Sequence, residues 1–366
     1  MKFTVERNQL IKPLQQVSSM LNSRPALPIL GNLLVKVQNN MLSITSTDLE
    51  IEIVSSLVLK DSFEEGSTTI PSRKFLDICR GLSQTSVLSI ILQGDRLNIH
   101  SGRSKFSFST LPANDFPNIE AWKSEIEVSL TQAELRGLVE KTKFSMANQD
   151  VRYYLNGMLF EIDGSVLRTI ATDGHRMAVS QIQLMDNFKR KQIIVPRKGV
   201  HELVKLLTVP EKPVVLQIGS SNLRIEVNDF VFTSKLIDGL FPDYRRVFPK
   251  NTNKTLEASC NDLHQAFSRV AIFSSEKFRC VRIKLVDTEM RIVANNSDRE
   301  EAEEILDISF NGYPLEMGFN VSYMLDILST LRCDKILMFI SDANSSVLIR
   351  DFEDDSTMYV LMPIRL

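Results

Sequence analysis

The stretch Pro71-Ser72-Arg73-Lys74-Phe75-Leu76-Asp77-Ile78 returns as Pro196-Arg197-Lys198-Gly199-Val200-His201-Glu202-Leu203, then more loosely as Asn320-Val321-Ser322-Tyr323-Met324-Leu325-Asp326-Ile327. The offsets are 196 − 71 = 125 and 320 − 196 = 124 residues. Ser46-Thr47-Asp48-Leu49 returns as Ala171-Thr172-Asp173-Gly174 at 173 − 48 = 125. Phe116-Pro117, Phe241-Pro242 and Met362-Pro363 follow at 242 − 117 = 125 and 363 − 242 = 121. Such a period is domain-sized, too long for solenoid or propeller units. Three markers in step predict three copies of one domain, bounded at 1–124, 125–252 and 253–366. The Pro-bearing stretches Pro112 to Trp122 and Pro242 to Lys254 supply the breaks.

Each copy opens with an amphipathic helix. Leu10, Leu14, Val17 and Leu21 form one apolar stripe in the first, with Pro13 expected to bend it or delay its start. Thr131-Gln132-Ala133-Glu134 is a capping-box pattern ahead of Leu135, Leu138 and Val139. Asn261 is the expected cap for the stripe Leu263, Phe267 and Val270. Pro71 and Pro196 suit the first position of a second helix. Alternating runs such as Leu34 to Val37, Phe106 to Ser109, Met158 to Glu161 and Val347 to Arg350 read as half-buried strands. The expected class is α+β, two helices packed on antiparallel sheet in each copy.

No P-loop, dinucleotide fingerprint, H-E-x-x-H or nucleophile elbow occurs, and the four histidines share no metal-ligand spacing. No cofactor or metal is expected. Asp173 with His175 is the strongest catalytic pair, against a plain strand–turn–strand reading; Asp354-Asp355 reads as a solvated loop. Cys79, Cys260, Cys280 and Cys333 are scattered and expected as free thiols. There is no apolar run of membrane-span length and no secretory signal at the start, so a cytoplasmic protein with no membrane partner is expected. A net charge of −2 excludes a domain that grips duplex DNA by bulk positive charge.

Local charge is more informative. Arg96, Arg103 and Lys105 surround the strand carrying Phe106 and Phe108, while Glu300, Glu301, Glu303 and Glu304 lie in the last copy. A basic strand and an acidic one at opposite ends suit head-to-tail self-association, with Ile272 and Phe273 adding apolar surface. Arg24, Arg73, Lys74, Arg197 and Lys198 recur at helix ends, with Gln149, Tyr153 and Tyr154 after the long helix of the second copy. Together they suggest a surface facing phosphates.

Leu27-Pro28-Ile29-Leu30-Gly31-Asn32, Asp150-Val151-Arg152-Tyr153-Tyr154-Leu155-Asn156-Gly157, Ala171-Thr172-Asp173-Gly174-His175-Arg176 and Phe241-Pro242-Asp243-Tyr244-Arg245-Arg246 resemble the bacterial DNA polymerase III beta subunit family of gammaproteobacterial type, the replicative sliding clamps. The resemblance covers essentially the whole chain. It implies three clamp domains per subunit and a head-to-tail dimer forming a six-domain ring around duplex DNA. It also implies a non-enzymatic processivity role, with the replicative polymerase, an ATP-driven clamp loader, and repair and translesion polymerases as partners. By the same resemblance, Arg24, Arg73, Lys74, Gln149, Tyr153, Tyr154, Lys198 and Tyr323 face DNA. A cleft for a short hydrophobic motif is implied at Leu155, Thr172, Gly174, His175, Arg176, Met177, Pro242, Arg246, Val247, Ser346, Val360, Leu361, Met362, Pro363, Ile364, Arg365 and Leu366. Met177, Ile364 and Phe273 replace the family's more familiar Leu, Met and Leu. A DNA-processing hydrolase and a protein-only scaffold remain the alternatives.

Overall fold

The computed structural model describes residues 1–21, 27–119, 122–250 and 252–365. The first repeat runs β1 (Lys2–Glu6), α1 (Arg7–Ser18), β2 (Asn32–Gln38), β3 (Met41–Thr47), β4 (Ile51–Val58), β5 (Gly66–Pro71), α2 (Ser72–Gly81), β6 (Val87–Gln93), β7 (Arg96–Ser101) and β8 (Ser104–Ser109). The second repeats this order as β9 (Ile126–Thr131), α3 (Gln132–Thr142), β10 (Gly157–Thr172), β11 (Arg176–Pro196), α4 (Arg197–Leu206), β12 (Pro213–Ile218), β13 (Asn222–Val227) and β14 (Phe230–Lys235). The third runs β15 (Lys254–Ser259), α5 (Cys260–Ala271), β16 (Cys280–Val286), β17 (Glu289–Asn295), β18 (Glu301–Asp307), β19 (Ser309–Asn311), β20 (Leu315–Asn320), α6 (Val321–Thr330), β21 (Lys335–Ile340), β22 (Val347–Asp351) and β23 (Thr357–Leu361).

The repetition extends to strand register. Asn32 opposes Pro71, Gly157 opposes Pro196, and Cys280 opposes Asn320. Thr47 opposes Glu52, Thr172 opposes Met177, and Asn295 opposes Glu301. The long β10 and β11 therefore do the work of four strands, their register breaking around Gly164.

The chain divides into two compact units. One, Met1–Leu135 with His201–Leu236, holds the sheets β1-β6-β7-β8 and β5-β2-β3-β4-β14-β13-β12-β9. Its helices α1 and α2 pack together, α1 burying Leu10, Pro13, Leu14 and Val17. The other, Arg136–Val200 with Ile237–Leu366, holds β10-β11-β23-β22-β21-β15-β19 and β18-β17-β16-β20. There α5 packs on α6, burying Leu263, Phe267 and Val270 in one cluster with Val281, Ile283 and Ile292 of the sheet.

Within each unit one repeat is joined to the next in the same way. Strand β4 pairs antiparallel with β14, Ile51 opposite Ser234. Strand β11 pairs antiparallel with β23, Arg176 opposite Leu361. The rule is that the outer strand of one repeat takes the last strand of the next. By that rule β8 and β18 have no mate, and each is the edge of its sheet.

Several local expectations are revised. Pro71 and Pro196 are the last residues of β5 and β11, one place before their helices begin. Pro13 does not delay α1, which starts at Arg7 and carries the proline inside, withholding one backbone donor. Ser259, not Asn261, caps α5, accepting from Asp262 N at 3.3 Å. The Thr131–Glu134 capping box forms as read: Thr131 N donates to the Glu134 carboxylate at 2.7 Å, and Glu134 N to Thr131 Oγ1 at 3.2 Å. The run Met158 to Glu161, read as a half-buried strand, is buried throughout, Glu161 included.

Candidate partner-binding cleft

The turn between β10 and β11 organises the cleft. Asp173 Oδ1 accepts from His175 N at 2.9 Å and Arg176 N at 3.0 Å, and Thr172 Oγ1 donates to Arg176 O at 2.7 Å. The first repeat builds the same turn, Asp48 Oδ1 accepting from Glu50 N at 3.0 Å and Ile51 N at 2.8 Å. Leu49, with φ 79°, adopts there the left-handed backbone that Gly174 adopts at φ 90°. Gly174 has a further reason to lack a side chain: a Cβ would meet the Arg152 guanidinium at 2.9 Å.

Asp173 is therefore a turn former, its second oxygen accepting from Arg176 Nε at 3.0 Å. Arg176 is pinned on every side. It donates to Phe144 O at 2.8 Å and to Asp326, and lies 4.3 Å over the Tyr323 ring. The His175 ring stacks on Tyr323 at 6.4 Å. Arg152 donates to both oxygens of Asp150, at 3.0 and 2.8 Å, which holds that half-buried carboxyl down at about 2. The Asp354 carboxylate accepts from Ser356 N and Oγ, both at 2.8 Å, as a loop turn does. Among the described residues no three His, Cys, Asp or Glu side chains gather as a cation site would require.

These groups frame a cavity of about 290 Å³ lined by Arg152, Tyr154, Leu155, Thr172, Gly174, His175, Arg176, Pro242, Val247, Val360 and Met362. Its apolar wall continues into a cluster containing Leu159, Met177, Val179 and Tyr244. The wall segment 242–247 is anchored by Glu161. Its carboxylate accepts from Tyr244 Oη at 2.8 Å, Arg245 at 2.6 Å and Gln192 at 2.6 Å, with Arg190 and Arg168 at 3.3 and 3.4 Å. Burial acts to raise the Glu161 pKa, but those donors outweigh it and hold it below the ordinary range. Burial and the same contact push Tyr244 up to about 12. Ser346 Oγ donates to Val247 O at 3.3 Å from the far side.

Of the other cleft residues named from sequence, Met177 and Leu361 lie in the cores beneath it, and Arg246 is exposed and paired with Asp243 at 3.0 Å. The tail is held: Met362 N donates to His175 O at 3.0 Å and Ile364 N to Gly318 O at 2.8 Å, while Pro363 is half-buried and Arg365 exposed. Arg24 and Leu366 lie outside the described residues. Arg152 and Tyr154 line the cavity although sequence reasoning gave them no part in it. Arg152 stood inside a quoted motif, and Tyr154 was assigned to DNA.

Arg73 and Lys74 are exposed in the first turn of α2, whose first turn has no acidic residue. Lys198 is half-buried at the second position of α4, next to Arg197, which donates to Met146 O at 2.8 Å. Gln149 and Tyr153 are exposed, and Tyr323 is taken up by Arg176 and His175. At the open edges, Arg96, Arg103 and Lys105 are exposed, Phe106 is half-buried, and Phe108 is buried in its own sheet's core. Ile272 is 77% exposed and Phe273 packs partly on the third repeat's core. Glu300 and Glu301 are exposed, but Glu304 pairs with Arg269 at 2.6 Å and Glu303 with Arg291 at 2.7 Å. Phe278, 64% exposed beyond α5, is apolar surface that the sequence reading passed over.

A clamp-domain repeat with a framed apolar slot and a turn-forming Asp–His pair is a docking protein rather than an enzyme. The chain belongs to the DNA polymerase III beta subunit family, matching its N-terminal domain over residues 1–120, its central domain over 129–243 and its C-terminal domain over 245–365. It is 68% identical to the beta sliding clamp of Vibrio cholerae and 56% identical to that of Escherichia coli K12, each over 100% of both chains. The crystal structure of the DNA polymerase III subunit beta from Pseudomonas aeruginosa superposes with a TM-score of 0.98 at 45% identity, covering 100% of both chains.

Proposed function

We propose that this chain is a sliding clamp, a non-enzymatic processivity factor that closes head to tail with a second copy into a six-domain ring around duplex DNA. The observation that carries the reading is the pair of unmated edges, β8 and β18, left by a fold that joins its own repeats through the equivalent strands. An open edge of unpaired backbone groups seeks a strand, and heterologous pairing that closes makes a ring. The two-residue turns after Ser101 and Val227 align β8 with β14. Carrying over the register of β14 with β4 sets Lys105 opposite Glu303 of a second copy, which suits their charges. The repeats 1–124, 125–252 and 253–366 are the domains of that ring.

Basic residues in a helix's first turn oppose its dipole. Arg73 and Lys74 therefore gain nothing for α2, which supports a role towards phosphates. The same reading takes in Arg24, Gln149, Tyr153, Tyr154, Lys198 and Tyr323. A ring holds DNA by topology, so a net charge of −2 is no obstacle. The cleft takes a short hydrophobic motif from the replicative polymerase, the clamp loader, and repair and translesion polymerases. A pocket of this kind gains affinity from apolar burial and orientation from its polar rim. No nucleotide-binding motif occurs in the sequence, so an ATP-driven loader opens the ring. A role on replicating DNA supports a cytoplasmic location.

The test is retention on nicked circular DNA after loading, before and after linearisation. Retention on circles with loss from linear ends is expected. Equal retention on both would refute encirclement.

A further inference from the structure

The first unit contains a second groove, of about 650 Å³, lined by Thr47, Leu49, Pro117, Asn118, Ile119, Trp122, Ser221, Asn222, Lys235 and Leu236. Its position in the repeat is that of the cleft. Thr47 and Leu49 sit in the turn equivalent to that of Thr172 and Gly174, with the same side-chain-to-backbone bonds. Pro117 and Trp122 stand 125 residues before Pro242 and Val247. Lys235 N donates to Glu50 O at 2.8 Å, as Met362 N donates to His175 O at 3.0 Å. Five lining positions thus coincide between the two grooves, and the backbone that frames them is shared.

The side chains differ, and the difference has a sign. Lys235 replaces Met362 at the rim, Trp122 replaces Val247, and Leu49 replaces Gly174. Beneath the groove Glu52 takes the place of buried Met177 and accepts from Ile119 N at 3.3 Å. The Lys235 ammonium is exposed and is paired with no carboxylate among the described residues. Leu49, Pro117, Ile119 and Trp122 keep an apolar wall beside that cation. Asn222, buried beside it, has an Oδ1 with no hydrogen-bond partner, an acceptor facing no donor of its own.

We propose that this groove is a second peptide-docking site, selective for a short extended segment that sets an apolar side chain beside a carboxylate. The apolar side chain lies against Trp122 and Leu49, and the carboxylate meets Lys235. The class of occupant rests on the peptide reading of the first cleft, because the shared frame is the reason to expect a peptide. The acidic preference rests on Lys235 alone. A chain bearing both grooves takes two differently charged motifs at once, so a partner can be held at one while another is exchanged at the other.

The experiment uses the full chain and immobilised short synthetic peptides carrying Leu-Phe flanked by Asp, by Ser or by Lys. The proteins are the parent, Lys235→Glu, Trp122→Ala, and a form lacking Met362 to Leu366. Asp-flanked peptides should still bind the truncated form. Lys235→Glu should weaken them about fivefold and strengthen the Lys-flanked set, the scale of one partly exposed charge pair. Lys235 is exposed, so this variant folds even if Trp122→Ala does not.

Binding of Asp-flanked peptides that vanishes on truncation and ignores Lys235→Glu would overturn the proposal, as would no binding at about millimolar concentration. A change of oligomeric state on Lys235→Glu without any peptide response would assign the groove to a second copy and overturn it equally. Ser-flanked peptides that bind the truncated form as well as the parent would instead count against the first cleft.

Discussion

Replacing Glu161 by Gln should loosen the cleft without touching any residue that lines it. Glu161 is wholly buried, and its oxygens gather Tyr244, Arg245, Gln192, Arg190 and Arg168. Gln preserves the shape and one acceptor, so Tyr244 keeps its bond. The other oxygen becomes an amide donor facing Gln192 and Arg190. Charge-assisted bonds contribute about 1.5–3 kcal/mol each. Arg245 and Arg190 are 45% and 55% exposed, so they recover hydration and only part of that is lost. The net local cost is roughly 2 kcal/mol, about a thirtyfold change in an opening equilibrium. A chain of several domains does not unfold in two states, so amide hydrogen exchange over residues 241–248 is the proper assay. The Arg246 amide, bonded to Asp243 O at 3.2 Å, should exchange about thirtyfold faster. Affinity for an apolar peptide should fall with it, since Pro242 and Val247 form one wall. The sign with pH follows from the lowered carboxyl: its contribution is present above the ordinary carboxylate range and fades as pH falls through the lower folded value. The parent should therefore lose protection in this segment as pH falls below the ordinary carboxylate range, while Glu161→Gln stays flat. Unchanged exchange and unchanged peptide affinity in the variant would refute the anchoring role.

Deleting Met362 to Leu366 should abolish binding of an apolar peptide in fluorescence anisotropy while sedimentation still reports the dimer; unaltered affinity would remove the tail from the cleft. Arg73→Glu with Lys74→Glu should slow loading and sliding on circular DNA and leave the dimer intact. It should also stabilise α2 by about 0.3–1 kcal/mol, because carboxylates suit a helix N-terminus; dissociation to monomers would contradict the assignment. Raising salt towards 1 M should weaken the dimer if exposed pairs such as Lys105 with Glu303 matter, since the screening length then falls to about 3 Å. A salt-independent dimer would hand the interface to Phe106, Ile272 and Phe273. His175→Ala should at most weaken peptide binding, measured by the same anisotropy, and a lost hydrolytic activity would reopen the enzymatic reading.

What could be read from the chain was what is local or periodic. The Thr-Asp marker was visible as a repeat because its chemistry is complete within five residues: an Asp accepting from the two amides that follow and a Thr closing the turn. The capping box at Thr131 was legible for the same reason. Ser259 was missed as a cap because Ser259 and Asn261 are both good capping residues, and only the end of β15 decides between them. Distant pairing was invisible. Nothing near Glu304 in sequence announces Arg269, so a run that reads as free acid is partly compensated. Glu161 was misread because alternation assumes one wet face, whereas Met158, Leu159, Phe160, Glu161 and Ile162 are all buried and guanidinium groups from β10, β11 and the 244–247 turn converge on the carboxylate. The part of Tyr154 in the cleft wall was hidden because its ring packs against the cluster that holds Val360, a contact set by the fold.

The three junctions of the repeat show why one domain could be copied and then diversified. The two internal ones are made by backbone hydrogen bonds between an outer strand and the last strand of the next repeat, and those bonds ask little of the side chains. The turn that shapes the groove beside the two internal junctions needs only Thr, Asp and a residue that tolerates positive φ, which Leu49 and Gly174 both supply. Side chains over the grooves were thereby free to diverge, to Lys235 with Trp122 in one and Met362 with Val247 in the other. In the proposed ring, the third junction is the same strand pairing, left open here at β8 and β18. Its side chains must attract a second copy and still release it when the ring is opened. Charge suits that task, since the attraction acts at a distance and is weakened by solvent at the exposed edge. An apolar edge of equal strength would pair indiscriminately. In the proposed ring, the acidic residues on β18 already held by Arg269 and Arg291 would temper that attraction further and help it open.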